Sequence, residues 1–266
     1  MLRVGFLAII AAAAFAQDGL PPHVWNKLAA QDREIFGRLA KLELEAIWSA
    51  VNEAGYQNCF INELPPLHTG RRLIGRARTV RYLPNRPDLR ERLYKAGPQL
   101  NYVSSEQAEP GDVLVFDAGG DTRSAVTGAM TTRRLVARGG AGMIADGAFR
   151  DVGQIRELPI QVYMRRGQAS SVSPHMMSAD YQVPVRIGNV TVMAGDILMG
   201  EEHGVLVIPA AVLEKALKKA EQTVEREAFQ KKLLEQGEPI SGVYPRLNES
   251  NQKRFDAERK RAAPKR

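Results

Sequence analysis

Residues 111–163 read GDVLVFDAGGDTRSAVTGAMTTRRLVARGGAGMIADGAFRDVGQIRELPIQVY. Three short apolar runs, at 113–116, 142–145 and 160–163, are separated by glycine-rich or charged connections, the pattern of strands buried on both faces. Between the first two, 124–138 carries helical spacing that stops at Gly139-Gly140, and 152–157 predicts a second, short helix. Strand, helix, strand in that order predicts an α/β fold around a parallel sheet. In such a unit the strands end on one edge, so the connections 117–127 and 146–151 must meet there. The functional site belongs on that edge.

Outward from this core, the apolar positions Leu28, Ile35, Leu39, Leu42, Ala46 and Ile47 recur near every 3.6 residues after Pro21-Pro22. They predict one or two amphipathic helices ending by Gly55, with Gly37 as a candidate break. The stretch RRLIGRARTVRYL alternates around Ile74, Ala77, Thr79 and Arg81 and reads as a strand, whereas the region of Pro84, Pro87 and Pro98 reads as loop. Downstream, VPVRIG, VTVMAGD and GVLVIP predict short strands, and 210–236 a charged helix beginning past Pro209.

A chain of 266 residues with 44% hydrophobic residues can bury one generous core. The single Cys59 excludes an internal disulfide and a multi-cysteine metal centre, so any metal has oxygen or histidine ligands. Of the net charge of +7, residues 253–266 carry +5. Without these and Arg3 the body is nearly neutral, too little for a nucleic-acid-binding face. The segment 246–266 reads as a basic, solvated, flexible tail. At the other end, MLRVGFLAIIAAAAFAQDG has one basic residue, an apolar run and small residues around Ala14-Phe15-Ala16, which is signal-peptide grammar for 1–16. The run is shorter than the roughly 20 residues of a membrane span, so no stable anchor is expected. The rest, 17–245, is then a single domain outside the cytoplasm, periplasmic or secreted.

Asp117, Asp121, Asp146, Arg150 and Asp151 all fall on the predicted edge. The early amides of the first helix, Gly128 to Thr131, have no intrahelical acceptor and can face an anion. An arginine that forks a carboxylate, a carboxylate that holds a hard cation and amides that seat an anion suit a small oxoacid with Mg²⁺. The plainer alternative is that Arg150 and Asp151 form a loop salt bridge or cap the helix from Val152. Gly140, Gly142 and Ala145 fit a dinucleotide-loop spacing, but they follow a helix and enter a strand, the reverse of the required order. His175 and His203 lack zinc-ligand spacing, no GxSxG elbow exists, and Cys59, Trp25 and Trp48 read as packing residues.

Residues 111–163, with LPPLHTGRRLIGRARTVRY before them and VRIGNVTVMAGDILMGEEHGVLVIP after, closely resemble the RraA-like family, which includes the 4-hydroxy-4-methyl-2-oxoglutarate aldolases. The resemblance covers roughly residues 40–215. It implies a layered α/β/β fold with N-terminal helices and a C-terminal helix, and a homotrimer or hexamer with sites between subunits. Aldolase members carry an arginine followed by an aspartate, matched by Arg150 and Asp151; members that inhibit ribonuclease E lack that acid. By the same resemblance the backbone of Gly128, Ala129, Met130 and Thr131 seats the pyruvate carboxylate, Arg150 contacts substrate, and Asp151 binds Mg²⁺, Mn²⁺ or another divalent cation. A water held by Asp121, or a glutamate of another subunit, would be the base. Gly128-Ala129-Met130-Thr131 departs from the family's usual Gly-Glu-Leu-Leu. Glu201-Glu202-His203-Gly204 stands where an acidic segment is usual, and either Glu201 or Glu202 would support the metal shell.

The implied activity is that of a metal-dependent (class II) pyruvate aldolase, a carbon–carbon lyase acting on small 2-oxoacids, with oxaloacetate decarboxylation as a second activity. The alternative is a non-catalytic binding or regulatory protein of the same fold. No nucleic acid is expected as partner. A methyltransferase reading finds no glycine loop for S-adenosylmethionine after a first strand.

Overall fold

The structure, a computed structural model, describes residues 20–172 and 175–262. The expected signal segment 1–16 lies outside the described residues. The N-terminal helices are α1 (Pro22–Trp25), α2 (Ala30–Ala40) and α3 (Leu44–Glu53). There follow β1 (Phe60–Ile61), β2 (Leu73–Pro84), α4 (Pro87–Ala96), α5 (Leu100–Glu106), β3 (Asp112–Asp117) and β4 (Ala125–Thr127). The central unit continues with α6 (Ala129–Arg138), β5 (Gly142–Phe149), α7 (Val152–Arg156) and β6 (Gln161–Gly167). The remaining strands are β7 (Met176–Tyr181), β8 (Val185–Ile187), β9 (Val190–Val192), β10 (Ile197–Glu201) and β11 (Gly204–Ile208), and the chain closes with α8 (Leu213–Glu235) and α9 (Glu249–Ala262).

Nine of these strands form one mixed sheet in the order β1-β11-β10-β2-β3-β5-β4, with β6 also on β5 and β7 also on β2. The pairs among β2, β3, β5, β4 and β6 are parallel and the others antiparallel; β8 and β9 make a separate hairpin. The apolar runs are continuous because both sheet faces are covered. Val113 and Val115 of β3 join the core beneath α2, α3 and α8, whereas Leu114 and Phe116 join the core beneath α5, α6 and α7. Ile144 and Met143 divide in the same way on β5. A strand has period two, so one run of four apolar residues serves two cores.

Three sequence expectations are corrected. The break between the first helices falls at 41–43, and α2 runs through Gly37, where a side chain would press on the Trp25 ring at 3.3 Å. The proline-marked region is helical: Pro87 and Leu100 open α4 and α5, since proline fits the first helical turn and ends only the segment before it. Residues 125–127 are strand, not helix, because they pair in parallel with β5 and two of the three are β-branched. Helix α6 itself stops as expected. Gly139 takes φ 89°, and the Gly140 N–H donates back to the Leu135 carbonyl at 2.9 Å, a Schellman closure that a side chain at 139 would strain.

The basic C-terminal segment is also ordered, over Glu249–Ala262. Phe255 of α9 lies 5.3 Å from Phe229 of α8, ring centre to ring centre, over buried Leu233 and Val243. Ion pairs Lys232–Glu258, Arg254–Glu238 and Arg259–Glu225 flank that contact. Each exposed pair adds little, so the apolar contact carries the docking.

Candidate functional site

Strand pairing brings the site together. Thr127 at the end of β4 lies beside Phe149 at the end of β5, and the Arg150 N–H donates to the Thr127 carbonyl at 3.0 Å. The next residues on the two strands, Gly128 and the Arg150-Asp151 pair, therefore face one another. Gly128 is extended (φ −156°) and is the N-cap of α6 without a side chain to cap it. A Cβ there would stand 2.6 Å from Arg150 Cγ and 2.8 Å from Asp151 Oδ2, so the absent side chain is what lets the helix start approach the pair.

Asp151 occupies the N-cap position of α7 but does not cap it. Its backbone is left-handed (φ 57°, ψ 34°), a conformation that costs most side chains about 1–2 kcal/mol and that Asp and Asn tolerate best. The carboxylate turns away from its own helix, accepting from the Ala129 N–H and from Arg150 Nε, each at 3.4 Å. Both contacts are long, which leaves the carboxylate lone pairs largely uncommitted. Arg150 makes no other side-chain hydrogen bond or ion pair among the described residues, and it is 45% exposed. The N–H groups of Met130 and Thr131, in the first turn of α6, have no intrahelical acceptor.

These groups line a cavity of about 400 Å³. Its far wall comes from α5, which presents Asn101 and Tyr102, with Thr127 at the end of β4. Asn101 and Thr127 are 5% and 4% exposed, and Asn101 Oδ1 and Thr127 Oγ1 have no hydrogen-bond partner. Sequence spacing points to neither as a site residue: the proline region around Asn101 reads as loop, and Thr127, though placed in the connection at the site edge, also falls within the helical spacing of 124–138. The apolar pair Leu100 and Val103 between Pro98 and Pro110 was the available helical signal.

Of the residues expected on the rim, Gly128, Met130, Thr131, Arg150 and Asp151 line this cavity, and Ala129 is buried at its edge with its N–H toward Asp151. Asp121 does not line it. Its carboxylate is held by the Arg123 guanidinium at 2.6–3.2 Å and by the Arg123 N–H, and Arg123 keeps it below the usual carboxylate range. Asp117 accepts from the Gly119 and Arg186 amides, and buried Asp146 pairs with Arg165 and accepts from the Gly188 amide. These three carboxylates organise loops rather than the cavity.

Glu201 and Glu202 line a different cavity, of about 310 Å³, with Arg71, Arg72 and His203. Glu201 pairs with Arg72, and Glu202 accepts the Gly70 N–H at 2.8 Å. Close to this cavity, burial first, then the charges of Arg71 and Arg156, push the His68 imidazole down to about 4. The unfolded chain therefore takes up a proton near pH 6.5 that the folded protein refuses until about 4. Stability supplied by neutral His68 is complete above the unfolded value and is lost as pH falls toward 4. Between pH 7 and 4.5 the unfolding free energy, followed by thermal melts, should fall less in His68→Gln than in the parent, by a margin on the order of 1 kcal/mol given partial exposure. Equal falls in the two proteins would remove His68 from the account.

A divalent cation suits the first cavity's donors. Asp151 is a hard oxygen ligand with weakly committed lone pairs, and no group of three or more potential metal-ligating side chains exists among the described residues. One carboxylate, with remaining positions left to water and substrate oxygens, is how Mg²⁺ is commonly held. Asp151 is the side chain that would hold it.

A mixed sheet whose parallel strands converge on an Arg-Asp pair beside a glycine-led helix N-terminus defines an α/β protein with its candidate site at the strand ends. The profile of the RraA-like family, described as Aldolase/RraA, matches residues 45–207, and the chain belongs to that family. A Halalkalibacterium halodurans protein whose name assigns it provisionally as a 4-hydroxy-4-methyl-2-oxoglutarate aldolase is 31% identical over 160 residues, 60% of this chain and 70% of that protein. The 4-hydroxy-4-methyl-2-oxoglutarate aldolase of Thermus thermophilus is 30% identical over 138 residues, 52% of this chain and 76% of its own. Among solved structures, Streptomyces coelicolor RraAS2, titled an unusual member of the RNase ES inhibitor RraA protein family, superposes with a TM-score of 0.67 at 25% identity. That superposition covers 78% of this chain and 98% of RraAS2.

Proposed function

We propose that this chain is a divalent-metal-dependent pyruvate aldolase that cleaves 4-hydroxy-2-oxoacids of the 4-hydroxy-4-methyl-2-oxoglutarate kind and also decarboxylates oxaloacetate. The observation that carries the reading is Asp151: held left-handed, turned off its own helix, and set beside Arg150 and the open start of α6. Relatives near 30% identity bear the aldolase name. Assembly as a homotrimer or hexamer and export through the N-terminal segment belong to the same proposal.

The amides of Met130 and Thr131 seat the substrate carboxylate, helped by the positive end of α6. Arg150 donates to the oxygen on which charge gathers as the bond between C3 and C4 breaks. In that step the C4 hydroxyl loses its proton, C4 becomes a carbonyl, and the electron pair passes through C3 to the C2 oxygen; protonation at C3 then gives pyruvate. The metal, when bound, supplies Lewis-acid polarisation of the 2-oxo group. Loss of CO₂ from oxaloacetate leaves the same enolate. Asp121, engaged by Arg123 and away from the cavity, is not assigned the base.

The test is pyruvate release from oxaloacetate and from 4-hydroxy-4-methyl-2-oxoglutarate, with Mg²⁺ and with excess chelator. Turnover with Mg²⁺ that vanishes with chelator and returns when Mg²⁺ is restored is expected. Absence of turnover on both compounds in a folded protein that binds Mg²⁺ by calorimetry would overturn the substrate assignment. Absence of metal binding as well would leave the regulatory branch of the family as the reading.

A further inference from the structure

The chemistry assigned to Arg150 and Asp151 makes no use of Asn101 and Thr127. Each is more than nine-tenths buried, each lines the Asp151 cavity, and each carries a side-chain oxygen with no partner. A buried polar atom left unpaired loses its hydration without replacement, so such atoms are rare unless ordered water or a ligand satisfies them. The two are tied together: the Asn101 amide donates weakly to the Val126 carbonyl at 3.4 Å, and Val126 directly precedes Thr127. That same carbonyl accepts the Tyr82 hydroxyl at 3.0 Å. The Asn101 side chain is thereby placed with its nitrogen on the protein and its oxygen to spare.

The chemistry of the two oxygens selects a partner. The Asn101 carbonyl oxygen only accepts, and the Thr127 hydroxyl accepts or donates, so the ligand must bring at least one hydrogen-bond donor. Pyruvate and oxaloacetate in their keto forms bring none. A hydroxyl on the carbon beyond the pyruvate unit brings one. At the cavity mouth stand two exposed apolar side chains, Tyr102 at 53% and Met130 at 78% exposure, a surface suited to an alkyl substituent on that carbon.

We infer that Asn101 and Thr127 are specificity-determining residues: they recognise the hydroxyl of a 4-hydroxy-2-oxoacid and make the enzyme prefer such acids over oxaloacetate. The inference rests on the aldolase reading and goes beyond it by assigning discrimination to side chains outside the Arg150-Asp151 pair. Sites that hydrogen-bond a substrate hydroxyl discriminate strongly against analogues lacking it, because the site's own polar groups are then left unpaired.

The variants are Asn101→Leu and Thr127→Val, which remove one oxygen each at near-constant volume. The readouts are kcat/KM for 4-hydroxy-4-methyl-2-oxoglutarate cleavage and for oxaloacetate decarboxylation, together with calorimetric binding of pyruvate in the presence of Mg²⁺. Each variant should lose about 10–100-fold on the hydroxy acid while oxaloacetate turnover and pyruvate affinity stay within about threefold of the parent. Equal losses on both substrates would mark the residues as structural and overturn the inference, as would unchanged values on both. A parent protein inactive on both substrates would instead overturn the aldolase reading and this inference with it.

Discussion

Asp151→Ala and Arg150→Ala should each lower pyruvate release from either substrate by about 10²–10³-fold, the loss typical of removing one charge-stabilising group from a preorganised site. The two act differently. The Arg150 guanidinium has no side-chain partner but Asp151 among the described residues, so its removal takes away stabilisation of the developing negative charge while the backbone seat at Met130 and Thr131 remains. Its loss should appear in kcat more than in pyruvate affinity. Asp151 is the cavity's only carboxylate among the described residues, so its removal should also abolish Mg²⁺ binding by calorimetry. Alanine at 151 carries a backbone penalty of about 1–2 kcal/mol in the left-handed region, so inactivity alone is ambiguous. Asp151→Asn separates the causes, because asparagine tolerates that conformation but bears no charge. It should melt close to the parent and be as inactive as alanine. Full activity in Asp151→Asn, or metal binding retained at parental affinity, would sink the assignment of this carboxylate.

What made the Arg150-Asp151 edge legible from sequence was strand period and topology. Runs such as 113–116 and 142–145 must be buried on both faces, and a parallel pair must end on one edge, so the meeting of two connections is a consequence of chain order alone. The features that escaped are set by long-range pairing. Ala125 and Val126 share an apolar helical phase with Ala129 and Val136, yet the segment 125–127 pairs with Ala148 and Phe149, and that pairing moves the helix start to Ala129. Prolines 87 and 98 carry two readings, helix break and first turn, and only packing of α5 against β7 and α6 selects the second. Asn101 was hidden for that reason. Phe255 was hidden in a run of charges because one aromatic ring at the right phase, against Phe229, is enough to dock a helix that its composition describes as solvated. Asp121 shows the converse: chain order places it in the connection, but a neighbour two residues away, Arg123, claims its carboxylate.

Gly128→Ala tests the same site through its backbone, removing neither charge. The position is extended, so alanine meets no dihedral strain, and the groups it would meet are side chains: Arg150 Cγ at 2.6 Å, Asp151 Oδ2 at 2.8 Å and Arg150 Cδ at 3.2 Å. These have room to move because Arg150 is nearly half exposed and Asp151 is about a third exposed. The stability cost is then mainly that of alanine at an N-cap, on the order of 1 kcal/mol. For a chain of this size that is about 2–4 °C in Tm. The same methyl displaces both charged groups from the mouth of α6 by an ångström or so, enough to cost about 10²-fold in rate. Gly204→Ala is the contrast, since a Cβ there would lie 2.1 Å from the Ile61 carbonyl oxygen at φ 143°, and both the backbone angle and the β1 contact forbid it. It should be strongly destabilised or fail to fold. Steady-state kinetics and thermal melts of the two variants therefore should diverge, Gly128→Ala folded and nearly inactive, Gly204→Ala unstable. A Gly128→Ala protein with parental kcat/KM would mean that the close approach of α6 to the Arg150-Asp151 pair has no part in the chemistry.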